Sequence, residues 1–428
     1  MERHGENAPG WSLPLLYVVG AVILAFVFPR LESRFFADLV SPISSDSAIA
    51  IFSSVAAGMM SLTAIVFSLV FVMTQFSAIT YSPRLALALA RDPLLFHGIG
   101  IFTATFIYAL VALAWVNRGN TGRVPFLTTA NVLLLVIASV FVLSRLVRRV
   151  SLLRITDVLN LVGNMGRTTA EKTYPPITLD VRLAPHALEP DLPPIRHTMV
   201  HEGVPRVIES LHVAALVEEA RRAGVVVEVV AAVGDTVITG TPILHVRSAT
   251  ATHPLPQLLR YVRLSSERTF KQDPRYALRI LVDIAIKGLS PAINDPTTAV
   301  QALDYIEDLL TCIGRRHLTD GYVRDSSHGL RLVYPAPTWE DLVALALDEI
   351  RIYGSDSVQV MRRIRALLHD LLRQLHAERH PALRAQLARV DESVLRKFPS
   401  LEDLHEAQGE DRQGLGMSRR TNAKVVTM

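Results

Sequence analysis

Long apolar runs are concentrated in the first third of the chain. Four of them contain no Asp, Glu, Lys or Arg and are long enough to cross a bilayer core, which needs about 20 helical residues. They centre on residues 11–29, 49–76, 96–116 and 125–144. The first run would also suit a signal peptide, but no clear cleavage site precedes Pro29, which favours an uncleaved span. The second run stays uncharged from 47 to 83, so its helix is predicted to tilt or to continue past the membrane surface.

The overall composition supports a membrane part followed by a soluble part. Hydrophobic residues make up 50% of the 428 residues and charged residues 20%, and the mean hydropathy is +0.30. A single cysteine, Cys312, excludes an internal disulfide framework and a cysteine-built metal site within one chain. The net charge of +4 favours contact with an anionic leaflet over nucleic acid. No cofactor and no metal site are predicted.

Arginines in the short loops predict the orientation of the four spans. One side would carry seven arginines and the other four, and the denser side includes a cluster at the exit of the last span. The seven are Arg3, Arg84, Arg91, Arg145, Arg148, Arg149 and Arg154, and the four are Arg30, Arg34, Arg118 and Arg123. Because positive residues are enriched in cytoplasmic loops, both termini are predicted to lie in the cytoplasm.

The second span carries a stripe of small and polar residues. Ser54, Ser61, Ser68 and Gln75 recur every seven residues, and alanines occupy the intervening positions. One interpretation is close helix packing, because small residues let helix backbones approach in lipid. The other is that copies of this stripe surround a polar path at the centre of an oligomer. The four runs hold no ionisable carboxylate, lysine or arginine, which argues against a proton relay or charge-coupled pump.

The soluble part begins with a proline-rich connector at 173–194, and a compact region of short strands follows it. Strands are predicted at 204–208, 225–230 and 242–246, with a short helix at 210–223. The run V-G-D-T-V-I-T-G-T-P-I-L, which starts at Val233, resembles half of a lipoyl-type barrel. The segment has no lysine to carry a lipoyl group, so we predict a small β-rich module and not a swinging arm.

A polar stripe and a loop in the helical region that follows are candidate binding sites. Arg275, Arg279, Asp283 and Lys287 lie four residues apart, as expected for an ion-paired helix face or for a site that binds an anion or another subunit. In the run that follows, Asp295 can cap a helix whose first turn holds Pro296. That capping role would leave four side chains, those of Ser290, Asn294, Thr297 and Thr298, near a helix N-terminus, a favourable position for an anion. The loop candidates are Ser290, Asn294, Asp295, Thr297 and Thr298.

Two further amphipathic helices are predicted near the C-terminus. Thr338 and Asp341 have the spacing of a capping box, and a longer helix is predicted over 357–376. The fold class is therefore a membrane α-helical domain of four transmembrane helices, followed by an α+β cytosolic domain with a small β-rich module and C-terminal helices. The predicted boundaries are 1–150 for the membrane domain, 151–195 for a linker, 196–250 for the module, 251–408 for the helical domain and 409–428 for a disordered tail.

Three runs of residues resemble a known family. They are Ser82-Pro83-Arg84, Leu281-Val282-Asp283-Ile284-Ala285, and Leu289-Ser290-Pro291-Ala292-Ile293-Asn294-Asp295-Pro296-Thr297-Thr298-Ala299. Together with the segment 203–246 they make the chain similar to DUF2254, a bacterial family of predicted membrane proteins. The resemblance covers about 11–400 and implies a multi-pass membrane protein with a cytosolic domain. It implies no established activity.

Two functions remain open at this point. The first is an oligomeric channel or passive permeation protein in the cell membrane, with a cytosolic regulatory domain and the lipid bilayer and further copies of the chain as partners. The second is a membrane-anchored sensor or scaffold whose cytosolic domain binds a ligand or partner. An enzyme is disfavoured, because the sequence shows no nucleophile elbow, Walker motif or zinc pattern.

Overall fold

The computed structural model describes residues 12–35, 41–80, 93–118, 124–151, 155–177, 190–251 and 253–417. The chain divides into two compact units, Met1–Arg154 and Ile155–Met428. The Ser82-Pro83-Arg84 run and several of the loop arginines lie outside the described residues.

The first unit contains four helices that are long and apolar enough to cross a membrane. They are α1 (Ser12–Phe35), α2 (Ser45–Thr80), α3 (Pro93–Arg118) and α4 (Phe126–Ser151). The predicted fold class is confirmed for this part of the chain. Helix α2 has 36 residues, which at 1.5 Å per residue is about 54 Å and exceeds a bilayer core of about 30 Å. It therefore continues beyond one crossing.

Helix α3 is the central helix of this unit and packs against the other three. Small residues make the approach possible: a Cβ atom at Gly100 would lie 2.6 Å from a ring carbon of Tyr17 on α1. The core between the helices is closed by large side chains, since Phe52, Phe102 and Tyr108 are all 0% exposed. The unit thus has the dense packing expected of helices that associate in lipid.

The second unit has helices around two small sheets, as the predicted α+β class requires. Its helices are α5 (Ile155–Thr173), α6 (Val213–Ala223), α7 (Pro274–Gly288), α8 (Pro296–Gly314), α9 (Trp339–Tyr353), α10 (Val358–Gln374), α11 (His380–Lys397) and α12 (Leu401–Ala407). Its strands are β1 (Ile195–Val200), β2 (Arg206–Leu211), β3 (Val226–Val229), β4 (Thr236–Val237), β5 (Pro242–Arg247), β6 (Val262–Ser265), β7 (Tyr322–Arg324) and β8 (Leu330–Val333).

The strands form a five-stranded sheet in the order β1-β5-β3-β8-β7 and a three-stranded sheet in the order β4-β2-β6. The pair β3 and β8 is parallel and the other pairs are antiparallel. Strand β2 begins after Pro205 and includes Ser210 and Leu211. The strand predicted at 204–208 therefore starts and ends later, and the helix predicted from 210 begins only at Val213. Proline cannot donate a ladder hydrogen bond, which explains the later start. Strands β6, β7 and β8 lie outside the predicted module 196–250.

Helix α5 lies within the segment predicted as a linker and packs against α7 and α8. Two glycines permit this contact, because a Cβ atom at Gly166 would lie 2.5 Å from that of Ala277, and one at Gly163 would lie 2.8 Å from the ring of Tyr305. This helix, which begins four residues after α4 ends, is therefore an integral part of the second unit.

The C-terminal segment 409–417 also contributes contacts to this unit. Asp370 on α10 is buried and accepts hydrogen bonds from Arg412 at 2.9 and 3.0 Å and another from Arg373. Burial alone would raise the pKa of Asp370, but these two arginines hold it below its usual value. The predicted disordered tail thus includes nine residues that the structure describes, and residues 418–428 lie outside the description.

Candidate functional site

The small stripe of α2 faces away from the other helices of its own unit. Ser54, Ser61 and Ser68 are exposed, as are Ala57, Gly58 and Ala64 between them. The buried side chains of the same helix are Ala48, Phe52, Ala56 and Val66, which lie on the opposite side. We define the exposed residues Ser54, Ala57, Ser61, Ala64 and Ser68 as the small face of α2. The predicted stripe member Gln75 lies in the helix, but its side chain is outside the described part.

The small face is compatible with an apolar or a polar partner. The hydroxyl of Ser61 donates to the carbonyl of Ala57 at 3.0 Å, so its proton has a partner within the helix while its oxygen can still accept. From Ser54 to Ser68 the face extends about 21 Å along the helix, most of a bilayer core. Large exposed side chains lie on its flanks: Ile65 is 63% exposed, Phe67 65% and Phe71 60%.

Helix α1 contributes a buried carboxylate that the sequence reasoning did not single out. Glu32, 6% exposed, accepts from the backbone N–H groups of Phe126 at 2.5 Å and Leu127 at 2.8 Å. These are the first residues of α4, so the negative charge sits at the positive end of that helix. The role of Glu32 is to cap α4 and to fasten it to α1.

A row of buried polar side chains runs between α3 and α4. The hydroxyls of Thr105 and Ser139 lie 3.1 Å apart, and each can donate its one proton either to the other hydroxyl or to a carbonyl of its own helix. The hydroxyl of Tyr108 on α3 faces Thr128 and Asn131 on α4, and these buried polar groups lie close together without the geometry of well-formed hydrogen bonds. Such groups are rare in a packed interior, and no periodic pattern in the sequence points to them.

In the second unit, the predicted loop forms a cap that bonds mainly to itself. Asp295 accepts from the backbone of Thr298 at 3.2 Å and from its hydroxyl at 2.6 Å, and Ser290 donates to the carbonyl of Lys287 at 2.7 Å. The predicted capping role of Asp295, with Pro296 in the first turn, is confirmed. Asn294 has a φ of 49° and is exposed, as is Thr297. Of the loop candidates, these two are the exposed pair.

The predicted polar stripe joins two helices. Arg279 on α7 contacts Asp283 at 2.5 Å and also pairs with Glu349 on α9, so it bridges across the interface between them. The hydrogen bonds from Arg279 hold the pKa of Glu349 below its usual range. Lys287, half-buried, continues the same side of the helix one turn further on. The ion-paired interpretation of this stripe therefore accounts for Arg279 and Asp283.

A cavity of about 370 Å³ lies elsewhere in the second unit, among segments far apart in sequence. The end of α5 supplies Lys172 and Tyr174, the turn before α7 supplies Lys271 and Asp273, and Arg275 follows on α7 itself. A further wall comes from Thr319 and the run Tyr334-Pro335-Ala336-Pro337. The volume of the cavity falls in the range of small-molecule sites, about 300–1,000 Å³.

An ion triad around the buried Asp273 adjoins this cavity, and two of its members, Asp273 and Arg275, line it. Asp273, 2% exposed, contacts Arg268 at 2.7 Å and Arg275 at 3.2 Å. Arg275 also donates to the carbonyl of Val233, in the turn that the sequence pattern singled out. Gly234 in that turn has a φ of 93°, and a Cβ atom there would lie 2.3 Å from an oxygen of the Asp273 carboxylate. The glycine is thus required by both the turn and the ion pair.

Within the described residues, no group of three or more His, Cys, Asp or Glu side chains is arranged to hold a metal ion. The cavity was also absent from the sequence-based predictions. Tyr174 and Tyr334 each precede a proline, and Lys172 lies two residues before Tyr174; that association of aromatic, basic and proline residues was the available signal.

Comparison with known proteins places the chain among membrane proteins. The family described as "Predicted membrane protein (DUF2254)" matches residues 8–370. Uncharacterized proteins of Mycobacterium tuberculosis and Mycobacterium bovis are each 28% identical over 362 residues, which is 82% of this chain and 68% of theirs. No solved structure matches.

Proposed function

Because this chain belongs to the DUF2254 family of predicted membrane proteins, we propose that it assembles in the cell membrane into a homo-oligomer around a passive permeation path. The small faces of α2 from neighbouring copies would surround that path, and the second unit would regulate it from the cytoplasm. Both termini would lie in the cytoplasm, as the excess of arginines on that side favours.

The observation that carries the proposal is the exposure of the small face. A helix surface that contacts lipid has no need of serine and alanine, whereas a surface that contacts another helix gains close approach from them. The small face of α2 is turned away from its own bundle, so a second copy of the chain is the partner that it suits. In a cyclic assembly the same face of every copy is directed toward the symmetry axis.

The chemistry of the face suits an uncharged or weakly selective path. Ser54, Ser61 and Ser68 would place rings of hydroxyl oxygens at successive levels, and such oxygens replace part of the water around a solute. The charged side chains nearest to the spans, such as Glu32 and Arg30, lie at their ends. This distribution supports passive movement over transport coupled to an intramembrane charge.

The second candidate function is a membrane-anchored sensor, and the cavity of the second unit is the observation that favours it. In that case the four helices would serve as an anchor, and replacements on the small face would leave ligand binding unchanged.

The deciding experiment measures current across a planar bilayer that contains the purified full-length protein, with several salts. The test variant carries Ser61→Leu and Ser68→Leu, and the matched control carries Ser144→Leu, an exposed serine on α4. We expect selective currents in the wild type and the control and their loss in the test variant. Equal currents in the test variant would refute the path, and absence of current under all voltages and tensions would favour the sensor.

A further inference from the structure

The cavity described above is enriched in positive charge. Lys172 and Lys271 are both exposed at its rim, and Arg275 lies on its wall. The one carboxylate that lines it, Asp273, has both oxygens engaged by arginines. Lys271 is only loosely paired, at 3.6 Å, with Glu209, which also contacts Arg263 at 2.7 Å. The cavity therefore favours an anion.

Neutral hydrogen-bond donors accompany the cations. Burial raises the pKa of Tyr174 to about 12, so its hydroxyl keeps its proton at neutral pH and can donate. Tyr334 lines the same space, and its hydroxyl lies 3.3 Å from that of Thr319. Thr319 accepts from the backbone of Gly321 at 3.1 Å, which fixes its position. Two lysines and two tyrosines thus line the same space, where they can donate to a group with several acceptor oxygens.

The remaining wall is apolar and built from residues with little conformational freedom. Pro274, Pro335 and Pro337 line it together with Val213 and Leu211. Prolines hold their backbone torsion fixed, so the wall loses little entropy when a ligand packs against it. A ligand with an apolar or planar body next to its charged group fits this division between a cationic rim and an apolar wall.

We propose that this cavity binds a small molecule that carries a phosphate group, with the phosphate at Lys172, Lys271 and Tyr174 and its body against the prolines. The phosphate could belong to a soluble metabolite or to the headgroup of a lipid. The site stands on the geometry of the second unit and does not depend on the permeation path proposed above.

The test is isothermal titration calorimetry on the full-length protein in detergent, with three probes. Inorganic phosphate tests the charged group alone, a nucleoside monophosphate represents soluble metabolites, and dihexanoyl phosphatidic acid represents lipid headgroups. Tighter binding of the second or the third probe would support the site and identify its source. Failure of all three to bind at millimolar concentration would overturn it, whatever the outcome of the current measurements.

Variants assign the binding to this cavity. Lys172→Gln with Lys271→Gln removes two exposed charges without disturbing the core and should weaken binding by about tenfold or more. Tyr174→Phe removes only a hydroxyl and should weaken it by about threefold to tenfold. The matched control is Lys397→Gln, a surface lysine that pairs with Asp356 at 2.9 Å, and it should bind as the wild type does. Unchanged affinity in the double variant would overturn the proposal.

Discussion

Replacement of Gly234 by alanine tests how the β-rich region is fastened to the helices of the second unit. A Cβ atom at this position would lie 2.3 Å from the carboxylate of Asp273 and 2.8 Å from the guanidinium of Arg268. Asp273 cannot move away without cost, because it is 2% exposed and also bound to Arg275. The substitution should therefore displace a buried ion pair as well as strain the backbone.

A second glycine allows the two effects to be separated. Gly240 has a φ of 86°, close to the 93° of Gly234, but a Cβ atom there would meet nothing within 4 Å. Each alanine should lose about 1–2 kcal/mol of unfolding free energy through its left-handed backbone. Displacing Asp273 adds about 3 kcal/mol, the low end for a disrupted buried ion pair. We therefore expect Gly234→Ala to lose about 4–5 kcal/mol and Gly240→Ala about 1–2 kcal/mol.

Urea unfolding of the full-length protein in detergent can measure this difference. Trp339 is buried in the second unit, so its fluorescence reports on that unit alone once Trp11 and Trp115 are replaced by phenylalanine. If the two alanine variants differ by less than about 1 kcal/mol, the ion triad does not restrain the turn, and its role in shaping the cavity would have to be abandoned.

Three further outcomes are expected. Glu32→Gln should lower the unfolding free energy of the membrane unit by about 1.5–3 kcal/mol, since a charged cap becomes neutral; an unchanged thermal transition in detergent would contradict the cap. In a Cys312→Ala background, Ser61→Cys should give disulfide-linked dimers on mild oxidation and Phe67→Cys should not; equal cross-linking would argue against the small face as the interface. Asp370 has a pKa lowered in the folded state, so its stabilising effect is present at neutral pH and lost as the pH falls through the acidic range. Hydrogen exchange over 409–417, corrected for intrinsic rates, should accelerate on acidification, and Asp370→Asn should be fast at every pH.

The features that the sequence predicted correctly depend on residues close together in the chain. Hydropathy located the four spans, because each helix must be apolar over its own length. The capping box of Thr338 and Asp341 and the cap of Asp295 involve partners three residues apart, and both are present. The contact of Arg279 with Asp283, four residues further along α7, is also local in sequence and is also present.

The features that the sequence could not predict join distant segments. The parallel pair of β3 and β8 places Val227 opposite Leu332, and nothing in either segment specifies the other. Glu32 caps a helix that begins 94 residues later, and a hydropathy window that ends at Pro29 discards it as a boundary residue. The cavity draws on several such segments, so its positive charge emerges only after folding.

The packing of the membrane unit bears on where a permeation path could run. A path through the interior of one bundle would have to pass the level of Phe52 and Phe102, both 0% exposed. The polar row between α3 and α4 does not open one, because the hydroxyls of Thr105 and Ser139 are within hydrogen-bond distance of each other and of carbonyls of their own helices. These fully buried aromatic side chains would have to move aside before a solute could pass. A path along this protein is therefore favoured between copies, where the small face of α2 is exposed.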